Sequence, residues 1–282
     1  MSEDWFGETL YPDFQQRFKI TSLLYQGRSE FQELAFFETE RFGRVLALDG
    51  VIQTTEKDEF VYHEMLVHVP FFAHGRVRSA AIIGGGDGGV LEEALKHEVE
   101  RVVMVEIDGA VVELSKKYLP SICGKAFEDP RADVRIDDGI KFILETDEKF
   151  DVIIVDSTDP AGPAVPLFTD EFYRNCARSL TERGILVTQS GVTFMQDDEA
   201  RGTYGRLRRA FPDATFYLAQ VPTYAAGFMT LGWGCKSPRP RATTLATLKK
   251  RCASAKIATR YYSPEMHRAA FALPPYIEIL KG

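Results

Sequence analysis

Between Ser79 and Gly89 the chain reads Ser-Ala-Ala-Ile-Ile-Gly-Gly-Gly-Asp-Gly-Gly, a short apolar run, a glycine loop, then a helical pattern. A run apolar at every position is a strand buried on both faces, which belongs to a parallel sheet. Further strand patterns follow at Arg101–Val105, Asp133–Ile136, Phe150–Val155, Gly184–Thr188, Thr215–Leu218 and Phe228–Gly234. Helical patterns separate the first five at Gly89–His97, Ala110–Tyr118, Gly139–Glu145 and Asp170–Ser179, and a fifth helix is expected at Asp197–Ala210. This alternation predicts an α/β fold, a mostly parallel sheet covered by helices. Gln220–Gly227 is too short for a helix and contains Pro222, so the last two strands are expected to pair as an antiparallel hairpin at the sheet edge.

Upstream the texture differs. Arg17 to Thr55 is strand-like, with runs at Phe31–Glu38, Val45–Leu48 and Val51–Thr54, and Asp49-Gly50 between the last two is a hairpin signal. A helix is expected over Glu59–Val69, ended by Pro70. The division predicted is a small N-terminal antiparallel β domain, residues 1–56, and a Rossmann-like domain, residues 57–282. The 41 acids against 34 bases give a net charge of −7. That balance argues against nucleic acid, whose phosphates need clustered Lys and Arg. No stretch approaches the roughly 20 apolar residues of a membrane span. The acidic start, Met-Ser-Glu-Asp-Trp, lacks an apolar leader, and Cys123, Cys176, Cys235 and Cys252 lie far apart. The expectation is a cytoplasmic protein with reduced thiols, bound to no membrane.

Gly84, Gly86 and Gly89 satisfy G-x-G-x-x-G, and Glu106 lies 22 residues beyond Gly84 at the end of the next strand. Both features fit a nucleotide crevice with a carboxylate on the ribose hydroxyls, and neither separates NAD from adenosylmethionine. Asp87 bears on that choice. A carboxylate in this loop would face a pyrophosphate, or the carboxylate of adenosylmethionine's methionine tail, at close range. It suits a cationic tail instead; the plainer reading is that Asp87 only caps the helix. Glu106-Ile107-Asp108, Asp137-Asp138-Gly139 and Asp156-Ser157-Thr158-Asp159 close the next three strands. Ligands of open α/β sheets bind at those strand ends. Acids at four successive ends, with no metal-ligating histidines expected among them, predict a site for an organic polycation and no metal.

A parallel sheet finished by an antiparallel strand is the arrangement of adenosylmethionine-dependent transferases. More specifically, Gly84–Gly89, Met104–Asp108, Asp156–Pro163 and Pro222-Thr223-Tyr224 together resemble the polyamine aminopropyltransferases, the bacterial spermidine synthases above all. Leu48–Glu56, Asp58–Met65 and Ala270–Pro274 carry the likeness across nearly the whole chain. The resemblance implies transfer of an aminopropyl group from decarboxylated S-adenosylmethionine to putrescine, the former a co-substrate with no further cofactor. It implies that Gln32, Gln53 and Glu106 hold the nucleoside and that Asp138 accepts from the adenine amino group, with Gly139 and Pro163 beside it. Gly84, Gly86 and Asp87 would take the rest of the donor. Tyr62, His63, Asp159 and Tyr224 would line the diamine tunnel, Asp156 would be the base, and the chain would form a homodimer or homotetramer. Residues 159–167, rich in proline and glycine, are expected not to be helical and to form a substrate-ordered lid or an inert loop.

Other readings compete. A methyltransferase acting on putrescine would use the same fold, but Asp87 would repel its donor's carboxylate. An NAD-linked oxidoreductase meets the same repulsion, and a non-catalytic polyamine binder would need no Asp156. His63 and His68 resemble a zinc-protease pair but stand at i and i+5, about 140° apart on a helix. Tyr118, Phe142, Phe172 and Phe211 fall at core spacing, and Lys249-Lys250-Arg251 reads as a solvated helix face.

Overall fold

The computed structural model describes residues 4–158 and 162–282. A two-stranded ribbon, β1 (Trp5–Gly7) and β2 (Arg17–Lys19), precedes a four-stranded antiparallel meander. The meander comprises β3 (Ser22–Arg28), β4 (Glu33–Thr39), β5 (Gly43–Leu48) and β6 (Val51–Thr55). Asp49 and Gly50 turn between β5 and β6 with φ of 46° and 79°, the doubly positive turn that matches strand twist. The ribbon and β3 have too little apolar alternation to stand out in the sequence.

Helix α1 (Glu59–His74) leads into the second sheet. Pro70 lies inside α1 and does not end it, contrary to expectation. Residues Val61–His74 are all buried, and that packing outweighs one missing hydrogen bond. The helix ends at Gly75, φ 87°, whose N–H donates to the Phe71 carbonyl. Then follow β7 (Ser79–Gly84), α2 (Gly89–Leu95), β8 (Arg101–Glu106), α3 (Gly109–Tyr118), α4 (Pro120–Cys123), β9 (Ala132–Ile136), α5 (Gly139–Glu145) and β10 (Phe150–Asp156). A 3₁₀ helix over Gly162–Phe168, with Pro166 inside it, stands where no helix was expected; short 3₁₀ turns are common as connectors between longer elements. The chain continues through α6 (Asp170–Arg178), β11 (Leu180–Val192), α7 (Asp197–Ala210), β12 (Asp213–Ala219) and β13 (Met229–Cys235). It closes with α8 (Leu245–Ala255), which contains the helix face expected at Lys249-Lys250-Arg251, then α9 (Pro264–Ala270) and α10 (Pro275–Glu278).

The seven strands are ordered β12-β13-β11-β10-β7-β8-β9. Pairs from β11 to β9 are parallel, and β13 runs antiparallel to both β11 and β12, so the expected edge hairpin is present. Alternate residues of β7 feed two cores: Ala80 and Ile82 pack with α1 and α2, Ala81 and Ile83 with the opposite helical layer. From β7 the chain first adds strands on one side, then returns to add β10 on the other. That reversal opens a crevice at the carboxyl ends of β7 and β10, where Gly84 pairs with Asp156. Phe172 and Phe211 are buried, and Tyr118 and Phe142 pack at the edges of their clusters. Arg251 departs from the solvated reading. Its guanidinium donates to the carbonyls of Phe72 and Ala73 at the end of α1, while Lys249 pairs with Glu265 at the surface. The four cysteines are free. Among the described residues no helix is long and apolar enough to cross a membrane.

Candidate active site

The cleft at the crossover is walled by both sheets. Asp87, Glu106, Asp138 and Asp156, from the ends of β7, β8, β9 and β10, all face it. The glycine loop, Gln32, Gln53, Gly139, Tyr62 and Tyr224 line it as well. Asp159 and the side chain of Pro163 lie outside the described residues. Glu8, Leu10 and Tyr11 reach the same cleft and were not foreseen, since nothing local marks a short N-terminal ribbon as part of a distant site. Glu8 is fastened there by Ile52 N–H at 3.0 Å and the Gln16 amide at 3.0 Å.

Cap and site readings of the acids coexist. Asp87 Oδ1 accepts from Gly89 N–H at 2.9 Å, and Asp138 Oδ1 accepts from Ile140 and Lys141 at the start of α5. Asp108 Oδ1 caps α3, while its Oδ2 takes the Ser29 hydroxyl at 2.6 Å and the Gln32 amide at 2.9 Å. One buried carboxylate thus ties the β3–β4 turn to the nucleotide half of the cleft. Sequence reading had Asp108 only as a neighbour of Glu106.

Glu106 is 8% exposed and accepts from the Asp108 N–H at 2.8 Å. Burial, with the nearby Asp108 and Asp156 charges, raises its carboxyl to about 7 despite that bond. Asp156 is also lifted, to about 6. Burial is the main cause and the Asp87 charge comes next, opposed by His63 and by the Tyr62 hydrogen bond. Tyr62 donates to Asp156 Oδ1 at 2.7 Å, and burial followed by that same carboxylate keeps its phenol protonated. Tyr224 sits edge-on to Tyr62, centroids 5.6 Å apart, and its hydroxyl donates to the Gln53 carbonyl at 2.6 Å. Asp58 holds this second tyrosine's loop by accepting from the Thr223 N–H and hydroxyl, both at 2.8 Å.

His63 is not in the cleft wall among the described residues. It stands behind Asp87, its side chain 2% exposed, with Nε2 3.3 Å from Asp87 Oδ2. His63 thus backs Asp87, and the ring of acids, where no metal-ligating histidine was expected, has a histidine beside it. Polar atoms of His63, Asp87 and Asp156 lie within 4.8 Å of one another. His68, the other half of the apparent zinc motif, turns elsewhere, to His97 at 2.9 Å and Glu93 at 3.1 Å.

A glycine loop carrying an acid is opposed across this cleft by a second acid and two tyrosines. Residues 59–244 match the spermine/spermidine synthase domain, and residues 4–56 match the spermidine synthase tetramerisation domain. The chain belongs to the spermine/spermidine synthase family. It is 53% identical to the polyamine aminopropyltransferase of Ruegeria sp. (strain TM1040) over 99% of this chain and 98% of that one. It is 54% identical to polyamine aminopropyltransferase 1 of Pseudomonas aeruginosa over 96% of both. Its fold superposes, with a TM-score of 0.94 and 37% identity, on a solved spermidine synthase in complex with the transition-state analogue AdoDATO. That match covers all of this chain and 96% of the other. As a member of this family the protein is an aminopropyltransferase, with the Rossmann-like sheet and the small β unit that its sequence predicted.

Proposed function

We propose that the enzyme transfers the aminopropyl group of decarboxylated S-adenosylmethionine to putrescine, forming spermidine and 5′-methylthioadenosine. The observation that carries this reading is the placement of Asp87: a carboxylate inside the glycine loop, facing Asp156 across the β7–β10 crevice. A donor with a carboxylate tail is repelled there, and one with only an ammonium is attracted. Gln32, Gln53 and Glu106 hold the nucleoside, Glu106 through the ribose hydroxyls, and the adenine lies toward Asp138 and Gly139. Asp87 receives the donor's ammonium. Tyr62, Asp156 and Tyr224 receive the diamine, whose methylenes suit the aromatic rings.

The chemistry is a displacement. The amine nitrogen attacks the propyl carbon bonded to sulfur, the C–S bond breaks, and its electron pair leaves on sulfur as a neutral thioether. The nitrogen gives up a proton as the bond forms, and Asp156 takes it up or relays it to water. Freeing a primary amine of its proton at pH 7 costs about 4–5 kcal/mol for an amine pKa near 10.4. An ordinary aspartate is a poor base for that task. Asp156, raised to about 6, narrows the gap and orients the amine through the geometry Tyr62 imposes. Sulfonium is already a good leaving group, so this displacement calls for no metal, cofactor or covalent intermediate.

The match of residues 4–56 supports assembly as a homodimer or homotetramer, measurable by light scattering. The deciding experiment offers putrescine, cadaverine, agmatine and longer amines with decarboxylated S-adenosylmethionine, and measures methylthioadenosine release. Fastest release is expected with putrescine. No release with any amine, beside an active control enzyme, would overturn the reading; methylation from ordinary adenosylmethionine would replace it with a methyltransferase.

A further inference from the structure

We infer that Glu59 is a positioning residue, which holds His63 as a cation against Asp87 and so keeps Asp156 ionised for the amine. His63 Nδ1 is 2.9 Å from Glu59 Oε2, and Nε2 is 3.3 Å from Asp87 Oδ2. A neutral imidazole carries one N–H, and ionised carboxylates can only accept. With one ring nitrogen hydrogen-bonded to Glu59 and the other within ion-pair distance of Asp87, the ring lies between two carboxylates, the setting of an imidazolium. Burial by itself would strip that proton; the Asp87 charge, then hydrogen bonds to Asp87 and Glu59, outweigh it and hold His63 well above the ordinary imidazole range.

The surroundings are built for this pair. Glu59 and His63 are one helical turn apart on α1, and Gly89 at the head of α2 leaves room for the ring, which a Cβ there would overlap. Glu59, 14% exposed, also has Arg260 Nη1 at 4.0 Å. Arg260 is held in place by stacking on Phe60, 3.7 Å from the ring centroid, and by its N–H donating to the buried Glu64 carboxylate at 2.7 Å. Facing His63 and its partners are Tyr62 on α1, Asp87 in the loop, Glu92 on α2, Asp156 on β10, Tyr224, and Arg260 from the C-terminal segment. Of these only Arg260 is cationic, and it reaches Glu59 rather than the cleft. The imidazolium is therefore the charge that stops Asp87 from driving a proton onto Asp156.

Glu59→Gln tests this, because its carbonyl can still accept from Nδ1 while the charge is gone. In the wild type, ¹⁵N-histidine spectra, with His63 assigned through His63→Gln, should show an imidazolium persisting well past the usual midpoint. In Glu59→Gln that midpoint should fall, by less than in Asp87→Asn, because the Asp87 charge is the larger influence. The acidic limb of kcat/KM should move about half to one pH unit upward, and Glu59→Asp should return part of that shift. Lower kcat at every pH with an unmoved limb and unmoved histidine titration would mark a merely structural role and overturn the inference. If Glu59→Gln does not fold, the wild-type titration decides: a neutral His63 at pH 7 overturns it. The role given to Asp156 rests on the aminopropyl reading. Wild type that releases no methylthioadenosine defeats that reading, whereas the histidine titration judges Glu59 independently.

Discussion

The Tyr62 hydroxyl donates to Asp156 Oδ1 at 2.7 Å, from a helix that precedes the Rossmann-like sheet to the end of its fourth strand. The bond places a proton donor on the carboxylate proposed to accept the amine's proton. It therefore stabilises the ionised acid and aims its second oxygen at the cleft. Tyr62→Phe should lower kcat/KM by about tenfold to a hundredfold, in line with the roughly 1.5–3 kcal/mol of a hydrogen bond to a charged group. The acidic limb of the pH profile should also move to higher pH, since the bond is one of two influences lowering the Asp156 carboxyl. A rate series across that limb checks this, and an unmoved limb would separate Tyr62 from the protonation of Asp156.

Asp156→Asn should lose at least about a hundredfold in turnover, the usual worth of a general base, while donor affinity stays within about threefold. Rapid-quench turnover and equilibrium titration with the donor measure the two separately.

The same substitution should stabilise the unliganded fold. The folded Asp156 carboxyl is raised from 3.8 to about 6, so its ionisation opposes folding above that range. At pH 8 both folded and unfolded states are ionised and the full cost is present; near pH 4 the folded acid is protonated and the cost is gone. Asp156→Asn should therefore gain on the order of 1–3 kcal/mol at pH 8, shrinking toward zero near pH 4. Urea melts at the two pH values decide it, and an equal gain at both would refute the assignment.

Asp87→Asn keeps an oxygen for the Gly89 N–H but removes the charge. Affinity for the decarboxylated donor should fall by about tenfold to a hundredfold, as for a lost charged hydrogen bond. Discrimination against ordinary adenosylmethionine should shrink with it. Competition binding of the two nucleosides measures this, and unchanged selectivity would sink the charge argument.

Gly84 has φ 86°, and a Cβ there would overlap the Asp156 carbonyl on the adjacent strand. Gly84→Ala should cost about 1–3 kcal/mol of stability and abolish donor binding. Gly205→Ala, on α7, meets only the flexible end of Arg209 at 3.2 Å and should be neutral or slightly stabilising. Thermal melts of both variants make the comparison.

Most of the sheet was legible because its strands are apolar on both faces and its helices begin at side-chain caps such as Asp108, Asp138 and Thr169. Pro70 misled because local backbone preference was outweighed by the burial of α1. The acids at the strand ends were legible as a group, since parallel strands deliver their ends to one edge. Glu8 was not, because its place depends on contacts with Ile52 and Gln16 across the meander. Glu59 did carry a signal: it stands four residues before His63 on one helix face. That spacing foretold a contact but not its consequence.

By itself, the sequence determined the alternating fold, the glycine loop and the ring of acids, because strand and helix periodicity and the residue types at strand ends are local properties. Only the tertiary structure decided what those acids are. Burial raises Asp156 and Glu106, Tyr62 crosses from α1 to bind one of them, and His63 withdraws behind Asp87 between two carboxylates. Charge in a protein depends on what surrounds a group in space, and these surroundings come from segments that are far apart in the chain.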